Sequence, residues 1–407
     1  MHVTSPRAAS PWLLIVTVWL TLGVTFGLMF SFSVFLVPLL EEFRWSRGLA
    51  AGAFSLSAVV QGLLSPAIGT LVDRFRPRRL ILWGAVALGV SSVLGSQITA
   101  VWHLYLVTGV LTALGVSAVG WVPSAALVAQ WFATRQATMM GLAFSGMGVG
   151  VLTIGPLAQW LISHHGWRNA YLFLGLGTLG LLVPLVWFGV HDPPRATPGA
   201  TRGGTPADGG GIRVRAALRT RAFWALFFAY MCTPLAVFTV VTHQVAFAVD
   251  HGFPRLFVAG IFGLTGFMSI TGRVVFGFAA DRIGRALSAT ISYACTAVGT
   301  LALLSIDPWP HPAGLYVYAL LFGLGFGARG PIITAIAASR FPGRRFGAIY
   351  GFMSIGNGFG GAIGPWFAGA LFDLTGSYRA PFLIATLFCA AGSICFWLAE
   401  PRPKSPG

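Results

Sequence analysis

Three observations predict an all-α membrane protein of twelve transmembrane helices, built as two parallel six-helix repeats. Of the 407 residues only 9% are charged and 56% are hydrophobic, where soluble globular domains carry roughly 25% charged residues. Apolar stretches long enough to cross a bilayer recur along almost the whole chain. The second half then restates landmarks of the first at a near-constant offset, the mark of an internal duplication.

In order, the apolar spans fall at approximately 12–40, 49–72, 80–101, 104–131, 138–163, 170–190, 222–248, 257–280, 286–306, 313–338, 347–372 and 381–398. The first is too long for the apolar core of a signal peptide and is followed by no small-residue cleavage site, so it is read as a transmembrane helix. Between the sixth and seventh spans, residues 191–221 are rich in Pro, Gly, Thr and Arg. That composition predicts a flexible cytoplasmic linker between two six-helix bundles, residues 1–190 and 222–407. Cys232, Cys295, Cys389 and Cys395 all lie within apolar spans, without metal-ligand spacing, and read as packing residues. No metal or cofactor is expected.

The net charge of +16 has an uneven distribution that indicates a membrane rather than nucleic acid. With the amino terminus in the cytoplasm, Arg44, Arg47, Arg168, Arg255 and Arg379 fall in outer loops, Arg273 and Arg329 fall within spans, and every other Lys and Arg is on the inner side. The positive-inside rule therefore predicts a multi-pass protein with both termini cytoplasmic; the membrane is expected to be the inner (plasma) membrane and the protein to work as a monomer.

The duplication is read from matched landmarks. GTLVDRFRPRR at 69–79 answers GFAADRIGRAL at 277–287, Leu104-Tyr105 answers Leu315-Tyr316, Gly155-Pro156 answers Gly364-Pro365, and Trp167-Arg168 answers Tyr378-Arg379. Gly69, Asp73, Arg74 and Arg78, with the second copy Gly277, Asp281 and Arg282, resemble the signature between helices 2 and 3 of the major facilitator superfamily. Arg76 stands where that pattern usually has a second glycine. In such a motif glycine permits close helix approach, aspartate can bond a neighbouring helix N-terminus, and the arginines face the inner surface. The stretch 37–47 (VPLLEEFRWSR), the passage from Trp131-Phe132 through Arg135 to Gly141, Gly166-Trp167-Arg168 with Ala170, and Gly272-Arg273 are similar to the monocarboxylate transporter and oxalate/formate exchanger branch. The resemblance implies the major facilitator fold and secondary transport of a small organic anion.

All ten acidic residues lie at span ends or in loops, so the spans hold two arginines and no carboxylate. Carriers of organic cations need a negative partner in the cavity, because an uncompensated buried cation is costly. This cavity suits an anion. Arg273 lies eight residues from Asp281, about 12 Å along the helix and too deep to snorkel easily. Its planar donors match a carboxylate; the other reading is a structural arginine bonded to backbone carbonyls. The resemblance implies that Arg273 holds the substrate carboxylate, and Ser269 stands where many proton-coupled animal members have an aspartate.

Arg329, in a glycine-rich stretch before Pro331, has three readings: a second carboxylate ligand, a cation that lowers the barrier for one anion, or a donor to carbonyls freed by the proline. His243, about 10 Å from Asp250 along the seventh span, is a candidate proton carrier or a neutral hydrogen-bonding residue at an outer gate. Trp121 stands where related proteins often have an aromatic residue lining the cavity, so the resemblance implies a cavity position, the other reading being core packing; Gln244 is a further polar neighbour. Asn357 lies near where the oxalate exchangers place a lysine, and its neutral amide argues against a close copy of dicarboxylate recognition.

No catalytic triad, HExxH, P-loop or His-rich run is present, so neither an enzyme nor a covalently joined ATPase is expected. The expected function is alternating-access transport of a lactate- or pyruvate-sized monocarboxylate, together with a proton (symport). The alternatives are an anion exchanger of the oxalate/formate type and a transporter-like carboxylate sensor. A cation or multidrug exporter would need the missing intramembrane acid.

Overall fold

The computed structural model describes residues 11–74, 77–131, 136–190, 214–341 and 346–399. Its elements are helices: α1 (Pro11–Phe43), α2 (Arg47–Arg74), α3 (Pro77–Gly95), α4 (Val101–Leu104) running through a π-helical stretch (Tyr105–Leu111) into α5 (Thr112–Val119), α6 (Trp121–Trp131) and α7 (Gln136–Gly189). After residue 213 follow α8 (Val214–Ala217), α9 (Arg221–Val241), α10 (Gln244–Asp250), α11 (Arg255–Ile283), α12 (Arg285–Leu304), α13 (Pro312–Phe326), α14 (Arg329–Arg340), α15 (Phe346–Thr375) and α16 (Arg379–Ala399).

Nine helices among the described residues are long and apolar enough to cross a membrane. One of them, α7, has 54 residues, about 80 Å at 1.5 Å per residue, more than twice the hydrocarbon thickness. It divides at Gly166, whose φ of 77° interrupts the helix, and so supplies the fifth and sixth spans. Its counterpart Gly376, between α15 and α16, has a φ of 68°. Glycine alone adopts this left-handed geometry without a Cβ penalty. With α13 and α14 as the tenth span and α15 as the eleventh, the chain crosses twelve times.

The helix pairings repeat. In the first half α1 packs on both segments of α7, and α3 packs on α5 and on the second segment of α7; in the second half α9 packs on α15 and α16, and α12 on α13 and α16. Small residues make the closest of these approaches. Gly23 and Gly27 on α1 face Gly146 and Gly150 on α7, and Gly356 and Gly360 on α15 press against the carbonyls of Phe227 and Met231 on α9. A Cβ on Gly150 would collide with the Gly23 carbonyl. Gly150→Leu is therefore expected to yield little folded protein, because backbone cannot move aside as a side chain can, while Gly177→Ala, where nothing lies within 4 Å, purifies like the parent. Monodispersity on size exclusion and the melting temperature check this pair.

Spans 4, 7 and 10 are broken rather than continuous. Span 4 stops at Gly120, span 7 turns at Thr242-His243, and span 10 turns at Gly327-Ala328. Broken helices near mid-depth free backbone groups and make room for polar side chains. The stretch expected as a linker ends in a turn of helix, α8, whose Ala217 is fully buried because Val214, Ala217 and Leu218 pack with the Phe223 cluster; residues 191–213 lie outside the described residues.

The halves meet along two seams, α2 on α15 and α7 on α11. At the end carrying the α1–α2, α10–α11 and α15–α16 connections, called here the first-loop end, the fit is tight: Gly48 abuts Gly369, and Trp366 N donates to Ser55 Oγ at 3.1 Å. Nearer mid-depth, Phe30 and Phe54 interlock with Phe238 and Phe326 across the seam, with Phe30–Phe326 and Phe54–Phe238 centroids 6.0 and 5.8 Å apart. Towards the opposite end, among the described residues, nothing lies within 4 Å of a Cβ at Gly277 or Gly351, and Phe352 and Phe359 are exposed.

Candidate functional site

Arg273 is carried on α11 where that helix runs closest to span 10. Glycines permit the approach: a Cβ at Gly272 would strike the Leu324 carbonyl, one at Gly323 would lie 2.6 Å from the Thr265 carbonyl, and one at Gly327 would lie 2.5 Å from the Ser269 carbonyl. Gly327 also makes room for Arg273 itself, since a Cβ there would sit 2.8 Å from the arginine's Cγ and Nε. The guanidinium therefore rests on the break of span 10 and reaches across the seam, where Nη1 donates to the Phe144 carbonyl of α7 at 3.2 Å. Nε is buried without a partner, and among the described residues no carboxylate pairs with Arg273. Such a cation is electrostatically unfinished.

Trp121 joins this site. It follows the break of span 4, is 46% exposed, and its ring packs on Phe144 at 4.8 Å and on Phe26 at 6.3 Å. Arg273 and Trp121 thus meet around one residue, Phe144, from opposite halves. The Phe144 carbonyl and Gly327 escaped the sequence reading, because a backbone acceptor and a space-giving glycine carry no chemical signature.

The other candidates lie elsewhere. Arg329 is fully buried inside the second half, its guanidinium 4.3 Å over the Tyr293 ring, with Nη2 donating to Thr296 Oγ1 at 2.7 Å and to the Gly325 carbonyl at 3.1 Å. Two donors of Arg329 are thus engaged inside the second half, at the break of span 10, while Nε and Nη1 are buried with no hydrogen-bond partner among the described residues. Ser269 is 1% exposed and donates to the Gly266 carbonyl of its own helix, so it presents no free hydroxyl to Arg273. Gln244 is buried with both ends engaged, accepting from Tyr318 and donating to the Val241 carbonyl, which stabilises the turn of span 7. Asn357 is half-buried on α15.

His243, at the turn of span 7, is fully buried. Nε2 lies 2.9 Å from the Pro365 carbonyl and Nδ1 lies 3.0 Å from Tyr378 Oη. A carbonyl only accepts, so Nε2 carries hydrogen, and the neutral ring takes the Tyr378 hydroxyl hydrogen at Nδ1. The Tyr378 oxygen in turn accepts from Arg47 Nη1 at 3.0 Å, and Arg47 Nη2 pairs with Asp250 at 2.6 Å. Asp373 caps α2 from the opposite half, its two oxygens accepting from Arg47 N and Gly48 N at 2.8 Å each. Arg255 pairs with Glu41 beside them. This interhalf clasp closes the first-loop end. Sequence reading counted Arg47 only as a loop charge, since its partners lie some two hundred or more positions away.

In the nearby loop, His251 and Arg379 bond Asp307 and hold its carboxyl below the usual range, the His251 hydrogen bond at 3.0 Å being the larger cause. A lowered folded pKa means stability present above the ordinary carboxylate pKa and lost as pH falls through the folded value. Asp307→Asn is expected to remove a small part of the melting-temperature loss seen between about pH 5 and pH 3, small because the carboxylate keeps 26% exposure.

Of the duplicated motif, the Gly69, Asp73 and Arg74 side chains, like Phe132 and Arg135, lie outside the described residues. Arg78 donates to the Trp187 carbonyl at 2.5 Å. In the second copy Asp281 and Arg282 are exposed, and Gly277 has open space instead of the close helix contact expected of it.

Comparison with known proteins follows this geometry. The profile of the Major Facilitator Superfamily matches residues 18–328 and 275–407. Monocarboxylate transporter 13 of Bos taurus is 27% identical, over 98% of this chain and 93% of its own; monocarboxylate transporter 4 of Rattus norvegicus is 26% identical, over 94% and 81%. Among solved structures, the nucleoside transporter NupG shares the fold with a TM-score of 0.76 at 15% identity, over 95% of this chain and 100% of its own. A bacterial homologue of the human lysosomal transporter Spinster, in an inward-facing and occupied conformation, gives 0.73 at 14% identity, over 97% of each chain. The chain is accordingly a membrane transport protein and not an enzyme, and it belongs to the Major Facilitator Superfamily.

Proposed function

We propose that this protein carries a small monocarboxylate anion of lactate or pyruvate size by alternating access, in symport with a proton. The two bundles, 1–190 and 222–407, rock about the seam; the linker and both termini are cytoplasmic, the membrane is the inner (plasma) membrane, and the carrier is a monomer. The first-loop end is then the outer one, and the conformation described is closed outside. The observation that carries the reading is Arg273: a guanidinium at the interhalf seam with no carboxylate partner among the described residues and one weak carbonyl contact. A substrate carboxylate supplies the missing charge. The names of the relatives, monocarboxylate transporters 13 and 4, support the same class.

A monocarboxylate is favoured over a dicarboxylate because Arg329 is committed inside the second half and Asn357 is neutral. His243 is proposed as the proton carrier, since it is the titratable ring set between the cavity side of span 7 and the outer clasp. The test is uptake of labelled lactate, pyruvate, formate and oxalate into proteoliposomes. Lactate or pyruvate is expected to accumulate under an inward proton gradient with no anion preloaded. Uptake driven only by preloaded anion identifies an exchanger, and binding without uptake identifies a sensor; either result overturns the proposal.

A further inference from the structure

We propose that His243 also controls the outer gate: a proton on Nδ1 unhooks Tyr378 from Arg47 and so releases α2 from the second half. The proposal rests on the outward assignment of the first-loop end made above. Hydrogen-bond arithmetic carries it. With a neutral ring the Tyr378 hydroxyl gives its one hydrogen to Nδ1 and its oxygen accepts from Arg47 Nη1. When Nδ1 gains a proton from solution, both ring nitrogens become donors. The Tyr378 oxygen then faces two cationic donors, and its own hydrogen loses its acceptor in a buried site.

His243 is held on its other side by the Pro365 carbonyl and is fully buried, so it cannot turn away. Arg47 can, because its other side-chain partners are Asp250, exposed at the rim, and the Phe372 ring, 4.2 Å beneath the guanidinium, which it can slide across as it turns. The charged groups around this relay are Arg47 on α2, Asp250 on α10, Asp373 on α15, and Glu41 with Arg255 at the α1 and α11 ends. The Asp373 cap on the Arg47 and Gly48 amides must part in the same movement, since it ties the same end of α2 to α15, three residues before the connection that carries Tyr378.

A cavity of about 350 Å³ supplies the route for the proton. It opens on the first-loop end and is lined by Arg47, Asp250, His251, Asp307 and Tyr378. Tyr378 borders this cavity on one side and bonds His243 on the other, so one hydroxyl separates the buried ring from outside solution. A proton from outside therefore reaches His243 while the gate is shut and opens it before substrate arrives.

The experiment measures the gate without substrate. Spin labels are placed at Leu49→Cys and Leu374→Cys, exposed positions on α2 and α15 near the first-loop end, with Cys295 and Cys395 replaced by Ala. In nanodiscs the longer-distance population is expected to grow as pH falls from about 8 to about 4. His243→Gln, which keeps a donor for Pro365 and an acceptor for Tyr378, should remove the pH response. Tyr378→Phe should show the long-distance population at both pH values.

An unchanged pH response in His243→Gln, or a Tyr378→Phe protein as closed at about pH 8 as its parent, overturns the proposal. Failure of proton-driven uptake is a separate result: a carrier whose gate responds to pH through His243 but exchanges anions would retain this switch and lose only the symport reading.

Discussion

Arg273→Gln is expected to abolish carboxylate uptake while leaving the folded protein at least as stable as its parent. Arg273 is half-buried and lies against Gly327, its Nε buried and unpartnered and its one hydrogen bond a 3.2 Å contact to the Phe144 carbonyl. Removing an uncompensated cation from such a site relieves desolvation, so the melting temperature should hold or rise. The substrate loses a paired, charge-assisted contact, and truncation of one partner of such a pair costs about 2–5 kcal/mol, or roughly 30-fold to several thousand-fold in affinity. Arg273→Lys keeps the charge but not the planar fork, and is expected to retain less than about a tenth of parental uptake. A structural arginine would behave oppositely, with the Gln variant melting early. Uptake in proteoliposomes, and ligand-induced shifts in melting temperature across a carboxylate panel, distinguish the two.

The second large effect is expected at a residue without functional groups. Gly327→Ala places a methyl 2.5 Å from the Ser269 carbonyl and 2.8 Å from the Cγ and Nε of Arg273. The arginine can yield but the Ser269 carbonyl is backbone, so span 10 must also ease away from α11, and the arginine's head leaves the seam. Uptake should fall more than about tenfold, because a misplacement of an ångström in a positioned charge is costly, while the melting temperature falls modestly. Gly330→Ala, three residues on, meets nothing within 4 Å and should transport normally, with the slight gain that alanine brings to a helix. Equal losses in both variants would mean that span 10 needs flexibility in general, not a space for Arg273.

The parts of this protein that were legible in advance were those written in composition and repetition. Twelve spans, the duplication and the intramembrane Arg273 follow from residue types and from landmarks that recur along the chain. The reading of Arg329 stayed open because two arginines in apolar, glycine-rich helices look alike on the page. They differ in tertiary surroundings: Arg273 looks across the seam, while Arg329 folds back over Tyr293 and Thr296 at a helix break. His243 showed its type but not its relay, since Tyr378, Arg47 and Asp250 come from three separate connections.

By itself, then, the sequence determined a membrane-embedded, duplicated helical carrier whose spans hold cations without acids, because the cost of burying charge leaves a mark on composition wherever it is met. Only the tertiary structure decided which cation waits at the seam, which is spent on a broken helix, and that the first-loop end is shut by a clasp running back to His243. The physical reason is that helices apolar on every side carry no periodicity to report which face meets the cavity. Rotation, breaks and glycine contacts decide it.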